Sequence, residues 1–145
     1  MQLTRFADLG LRVLMYLVQV PAGQRVTTPE IARIFDVPLN HLTKVVNTLV
    51  QAQLVHAVRG RVGGISLARP AMSIRIGDAL LALEGNAPLV NCSKPPCLLA
   101  GTCGLMGVLE SARLAFYTGL NEYTLADVSV HRTGTLLRSL QIHPV

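Results

Sequence analysis

All three cysteines of this 145-residue chain, Cys92, Cys97 and Cys103, stand inside one stretch, residues 91–106, reading NCSKPPCLLAGTCGLM. Their C-x4-C-x5-C spacing sets three thiols on one loop: Pro95 and Pro96 stiffen an extended turn, and Gly101 and Gly104 interrupt helical pattern before Leu105. Three thiolates so placed can cap one face of an iron-sulfur cluster, with a fourth ligand supplied from elsewhere. A weaker oxygen or nitrogen ligand in the fourth place leaves one iron exchangeable, which suits a sensor better than a permanent electron carrier. Other chemistries stay open for the same residues. Structural zinc normally takes four ligands with C-x2-4-C pairs, and neither spacing here is that short. An odd cysteine count argues against a disulfide framework. Three buried small side chains, or a thiol redox switch, need no metal at all.

The elements that must carry this loop are expected to be mostly helical. Half of the residues are apolar, only 4% are aromatic and there is no Trp, a composition suited to helices packed by Leu, Val, Ala and Ile. Thr4 can cap a first helix to about residue 20, with Phe6, Leu9, Val13, Leu17 and Val20 recurring on one face. Arg5, Asp8 and Arg12 fall within about 60° of each other on the other side. Asp8 is therefore either a surface partner of those arginines or an outward-pointing ligand. After a Pro21-Ala22-Gly23 turn, Thr27 or Thr28 followed by Pro29 and Glu30 marks the start of a short second helix ending by about residue 35. A tight turn at Asp36-Val37-Pro38 leads into a third helix over about residues 39–52, with Leu42, Val45, Val46, Leu49 and Val50 inward.

Helix, tight turn, helix is the arrangement in which the second member enters the major groove of DNA. Its outward residues are Asn40, His41, Thr43, Lys44 and Asn47, with Thr28 at the start of the first member. Asn suits adenine, Lys suits guanine or phosphate, and Thr serves either, although the same set also makes an ordinary solvated face. Two alternating segments, residues 54–58 and 65–67, flank the tip Arg59-Gly60-Arg61-Val62-Gly63-Gly64. This predicts a β-hairpin whose tip is too long and too basic for a minimal turn. Behind a helix-turn-helix it makes a wing, with Arg59 and Arg61 reaching phosphate or a narrow minor groove and Gly63 and Gly64 exposing backbone N–H groups. Charge agrees: residues 1–75 carry nine Arg/Lys against Asp8, Glu30 and Asp36, whereas residues 76–145 carry four against five. A basic half alone would also fit an anionic membrane surface.

A short helix with Ile74, Ile76, Ala79, Leu80 and Leu83 precedes the cysteine loop. A long helix from Leu105 to about residue 123 follows it, striped by Leu105, Leu109, Ala112, Phe116, Leu120 and Tyr123. The stripe needs a partner, either the same helix of a second copy, giving a homodimer, or the first helix of the same chain. Thr124 then caps a short helix. The expected organisation is a DNA-binding part over residues 1–84, a cluster loop over 85–104, and a dimerisation helix with a C-terminal segment over 105–145. The fold class is mainly α, a winged helix-turn-helix with a two-stranded wing. The N-terminus has no basic region followed by an apolar core, and Arg12 interrupts the richest apolar run, so a cytoplasmic protein without a membrane span is expected. No enzyme is expected: no catalytic Ser/His/Asp order or phosphate loop appears, and His41, His56, His131 and His143 lack ligand spacing.

The opening M-x-L-T-x-F-x-D-x-G-L-R, the wing R-G-x-x-G-G and the three-cysteine loop together resemble a bacterial family of winged-helix iron-sulfur repressors, which includes IscR, and the resemblance covers nearly the whole chain. The phrases Leu89-Val90-Asn91-Cys92 and Tyr123-Thr124-Leu125-Ala126-Asp127 look like its nitric-oxide-sensing NsrR type. That resemblance implies that Cys92, Cys97 and Cys103 hold the cluster, 4Fe-4S being favoured over 2Fe-2S, and that Asp8 is the fourth ligand, reaching across the dimer. It further implies that nitric oxide releases the protein from its double-stranded operator and derepresses detoxification genes. Pro38 departs from the Ser-like cap expected before the third helix, and Asp36 is expected to cap instead. The competing readings are a regulator of the same fold with a thiol or zinc switch or another signal, such as cluster assembly, and an electron-transfer or cluster-delivery protein.

Overall fold

The structure is a computed structural model that describes residues 2–60, 63–93 and 95–142, and the backbone alone at residues 131, 141 and 142. Helix α1, Arg5–Val18, starts where expected, because the Thr4 hydroxyl accepts from the Ala7 N–H at 3.1 Å. It ends two residues before Val20. Ala7, Val13 and Leu14 are fully buried along it, and removing a side chain of Leu or Val size from water contributes roughly 1.5–3 kcal/mol.

Helices α2, Thr28–Ile34, and α3, Leu39–Gln51, form the helix-turn-helix. Thr27 rather than Thr28 caps α2. Its hydroxyl accepts the Glu30 N–H, while the Glu30 carboxylate accepts from the Thr27 N–H at 2.8 Å, a reciprocal capping box. Asp36 does not cap α3, contrary to expectation. It lies at a left-handed φ of 49° in the turn after α2, and α3 begins after Pro38 with no side-chain cap hydrogen bond. Strands β1, Val55–Val58, and β2, Gly64–Leu67, pair antiparallel with Val55 opposite Leu67 and Val58 opposite Gly64. Val26 adds a bridge on the far side of β2, exchanging backbone hydrogen bonds with Ile65 at 3.1 and 2.8 Å. The chain is therefore mainly α with a winged helix-turn-helix, as the sequence predicts.

A 3-10 turn, Ala71–Ser73, leads into α4, Ile76–Glu84, followed beyond the cysteine loop by α5, Gly104–Leu120, α6, Leu125–Val128, and α7, His131–Ile142. Backbone hydrogen bonds from Ile76 N–H to Tyr123 O and from Leu125 N–H to Ile74 O tie the start of α4 to the start of α6. Leu125 and Leu137 belong to the same buried cluster as Leu14, Ile31, Leu42, Leu49 and Leu80. Residues after the cysteine loop thus complete the core of the first part rather than building one of their own. Helix α5 packs chiefly on α4. Its expected stripe divides: Leu109, Phe116 and Leu120 are half-buried, Leu105 and Ala112 stay exposed, and Tyr123 lies beyond the helix end.

Candidate nucleic-acid interface and cysteine loop

Four inward residues of α3, Leu42, Val45, Val46 and Leu49, are buried against α1, α2 and α4, which fixes the opposite face outward. Asn40, Thr43, Lys44 and Asn47 are exposed on that face. Thr43 donates its hydroxyl proton to Leu39 O at 2.8 Å and retains its acceptor lone pairs. His41, expected among the outward residues, is only half-exposed, with its ring edge-on to Phe6 at 6.0 Å between centroids. Thr28 is half-buried in the first turn of α2. At the wing, Arg59 is exposed; Arg61 lies outside the described residues. The Gly63 N–H already donates to Gly60 O at 2.9 Å, so a phosphate contact through it would have to replace that bond. Neither Lys44 nor Arg59 has a carboxylate partner among the described residues, which leaves two exposed cations available to a polyanion.

Around the cysteines the backbone folds into consecutive turns. Asn91 Oδ1 accepts from Ser93 N–H at 3.0 Å, Cys97 N–H donates to Cys92 O at 3.0 Å, and Ala100 N–H donates to Cys97 O at 3.1 Å. Cys92 and Cys103 are half-buried, Cys97 is exposed, and all three are free thiols. Cys103 sits directly before α5, whose first turn has no side-chain cap. Among the described residues no three His, Cys, Asp or Glu side chains converge on one metal position. The donor set nonetheless fits an iron-sulfur cluster chemically: three soft thiol ligands on one surface loop, none of them tied up in a disulfide.

Asp8 stands in a two-contact pair with Arg12, at 2.9 Å to Nη2 and 3.1 Å to Nε, and both side chains are about half exposed. Within one chain it is therefore a partner of arginine, one of the two roles the sequence left open. Asp8 also lines a cavity of about 400 Å³ with Arg5, Arg12, Asp36, Pro38 and His41, and α1 meets the start of α3 beside it through the Phe6–His41 ring contact. Asp8, Arg12 and His41 are brought together; the cysteines are not among the lining residues.

Two features escape a reading of the sequence. Arg113 is 8% exposed, the one charged residue buried in α5, with Nε and Nη2 on the Glu110 carboxylate at 2.9 and 2.6 Å and its guanidinium 5.7 Å from the Tyr117 ring centre. That pairing holds the Glu110 carboxyl below the usual carboxylate range. A pocket of about 200 Å³ beside it is lined by Gln2, Leu3, Glu84, Leu89 and Arg113, joining the N-terminus, the end of α4 and the root of the cysteine loop. The signal was present as Glu110-x-x-Arg113, an i, i+3 pair within an apolar stripe. The second is Val26, a single apolar residue between Arg25 and Thr27 that joins the wing sheet.

The profile of the family described as "Rrf2: Iron-dependent Transcriptional regulator" matches residues 3–131. Among solved structures, the fold is similar to that of CymR (YrzC), the global cysteine regulator of B. subtilis. That match has 23% identity over 89% of this chain and 96% of that one, with a TM-score of 0.70. Staphylococcus aureus CymR is 26% identical over 88% of this chain and 98% of its own, with a TM-score of 0.68. T. potens IscR is 25% identical over 88% and 85%, with a TM-score of 0.66.

Proposed function

The chain belongs to the Rrf2 family of transcriptional regulators, and from that premise we propose that it is an iron-sulfur-dependent repressor that binds double-stranded DNA as a homodimer and responds to nitric oxide. The observation that carries this reading is the joint presence of a solvent-facing α3 and wing with uncompensated cations and a surface loop of three free thiols. Asn40, Thr43, Lys44 and Asn47 read base edges, with His41 at the margin of the contact. Thr28, Arg59, Arg61 and the Gly63-Gly64 backbone engage phosphates or the minor groove. Cys92, Cys97 and Cys103 hold the cluster, and Asp8, freed from Arg12, is its fourth ligand from the second subunit. A bound cluster supplies iron reactive toward nitric oxide and a tie between the loop and α1. The chain's own part is to translate that tie: α1 packs on α3, with Phe6 against His41 at the start of the recognition helix, so a displacement of α1 is passed to it.

A second reading has specific support. Cys97 is an exposed free thiol, and the family likeness extends to Staphylococcus aureus CymR and to CymR, the global cysteine regulator of B. subtilis, which favours a thiol-based signal on the same DNA-binding frame. Purification without oxygen, with visible absorption and iron and sulfide analysis, separates the two. The proposal expects a coloured protein whose operator affinity is lost on adding nitric oxide, and a Cys97→Ala variant that still dimerises but binds operator weakly. A colourless, iron-free protein with tight specific binding would replace the cluster reading with the thiol one.

A further inference from the structure

We propose that Arg25 is an additional DNA-phosphate contact, a cation of the wing that the hairpin itself does not encode; this rests on the reading of α3 and the wing as a DNA-binding surface. Arg25 precedes Val26, whose two backbone hydrogen bonds to Ile65 form an isolated bridge on the outer side of β2 and hold the Arg25 segment against the wing. Gly64 opens β2 at a left-handed φ of 151°. A Cβ placed there would lie 3.0 Å from Arg25 Cβ and 3.0 Å from Val26 O, so glycine is what lets the Arg25 segment close onto the hairpin. Gly64 is paired with Val58, the residue before Arg59, and therefore sits at the tip end of the hairpin. Across the antiparallel Val26–Ile65 bridge Arg25 falls beside Ser66, in mid-strand, and with Arg69 it lines a cavity of about 450 Å³ on the flank of the wing.

Arg25 is also chemically available. It is exposed and has no carboxylate partner among the described residues, whereas Arg12 and Arg113 are held by Asp8 and Glu110. Two residues beyond it, Thr27 caps the N-terminus of α2, an element that in helix-turn-helix proteins runs across the DNA backbone. A guanidinium placed between that terminus and a basic wing presents a planar fork of donors suited to a phosphodiester. A contact of this kind fixes position and carries no base sequence.

The test measures the affinity of the anaerobically purified full chain for operator and for an unrelated duplex over a series of salt concentrations. Arg25→Ala is expected to reduce the slope of log K against log salt by about one and to weaken both duplexes by a similar factor, about tenfold at low salt. Arg25→Lys should restore most of the slope, and Arg132→Ala, which removes an exposed cation from α7, should leave it unchanged. Circular dichroism melts of all three should match the parent. A parental slope in Arg25→Ala would overturn the inference, as would weakening confined to the operator, which would make Arg25 a base reader. Failure of the parent protein to bind either duplex would remove the DNA-binding reading itself.

Discussion

Thr27 and Thr124 cap their helices in the same way. The Thr124 hydroxyl accepts from the Asp127 N–H at 3.2 Å while the Asp127 carboxylate accepts from the Thr124 N–H at 2.8 Å, as Glu30 does for Thr27. The phrase Thr124-Leu125-Ala126-Asp127, read from sequence as a mark of the nitric-oxide-sensing type, therefore has a sufficient local cause in helix capping. Both carboxyls are held below the usual carboxylate range, first by the threonine hydroxyl and then by the threonine N–H. A lowered carboxylate contributes stability that is complete above its ordinary value and disappears as pH falls through its folded value. Melting temperature is thus expected to be flat through neutral pH and to fall below about pH 4. Thr27→Ala should cost about 1 kcal/mol at pH 7 and flatten part of the acid limb. An unchanged acid limb in that variant would show that the capping box is not what the pH dependence reports.

The joint between α4 and α5 is built by contacts that no local pattern announces. Asn121 Oδ1 accepts from the Asp78 N–H at 2.9 Å, and Asn121 Nδ2 donates to the Asp78 carboxylate at 2.7 Å, so the residue that ends α5 also caps the first turn of α4. Gly77 lies against Tyr117 O and Asn121, leaving no room for a Cβ. Gly77→Ala should destabilise the fold by about 1–3 kcal/mol through overpacking. Asn121→Ala should cost about 1–2 kcal/mol by leaving a first-turn N–H of α4 without its partner. Chemical denaturation checks both; a Gly77→Ala protein of parental stability would mean that α5 can slide along α4. The end of α5 at Leu120 follows from the same contacts, since Asn121 is committed to α4 and Tyr123 to the backbone of Ile76.

In the molecule as a whole, α5 leaves a long face uncovered: Leu105 is 63% exposed and Val108 66%. Ala112 and Ala115 are exposed beside them. A face of small and apolar side chains on a helix that already has its intrachain contact to α4 suits a two-fold pairing with a second copy. Val108→Asp should shift sedimentation from dimer to monomer while leaving the melting of the monomer fold intact, because Val108 makes little contact within its own chain. Persistent dimerisation would place the interface elsewhere. Such pairing is also what would let Asp8 of one subunit approach the cysteines of the other.

Local pattern was enough for the helix-turn-helix, the wing and the grouping of the thiols, because periodicity, capping and turn residues act over a few positions. The inward set Leu42, Val45, Val46 and Leu49 and the hairpin flanking Arg59 follow from spacing alone, and so do the outward faces of Asn40, Lys44 and Asn47. Long-range packing decided the rest. His41 was drawn partly inward by Phe6, α5 was placed on α4 through Gly77 and Asn121, and Arg25 was carried to the flank of the wing by a single bridge at Val26. Each of these depends on residues far apart in the chain meeting in the fold, and such pairings leave no period or motif in the sequence to be read.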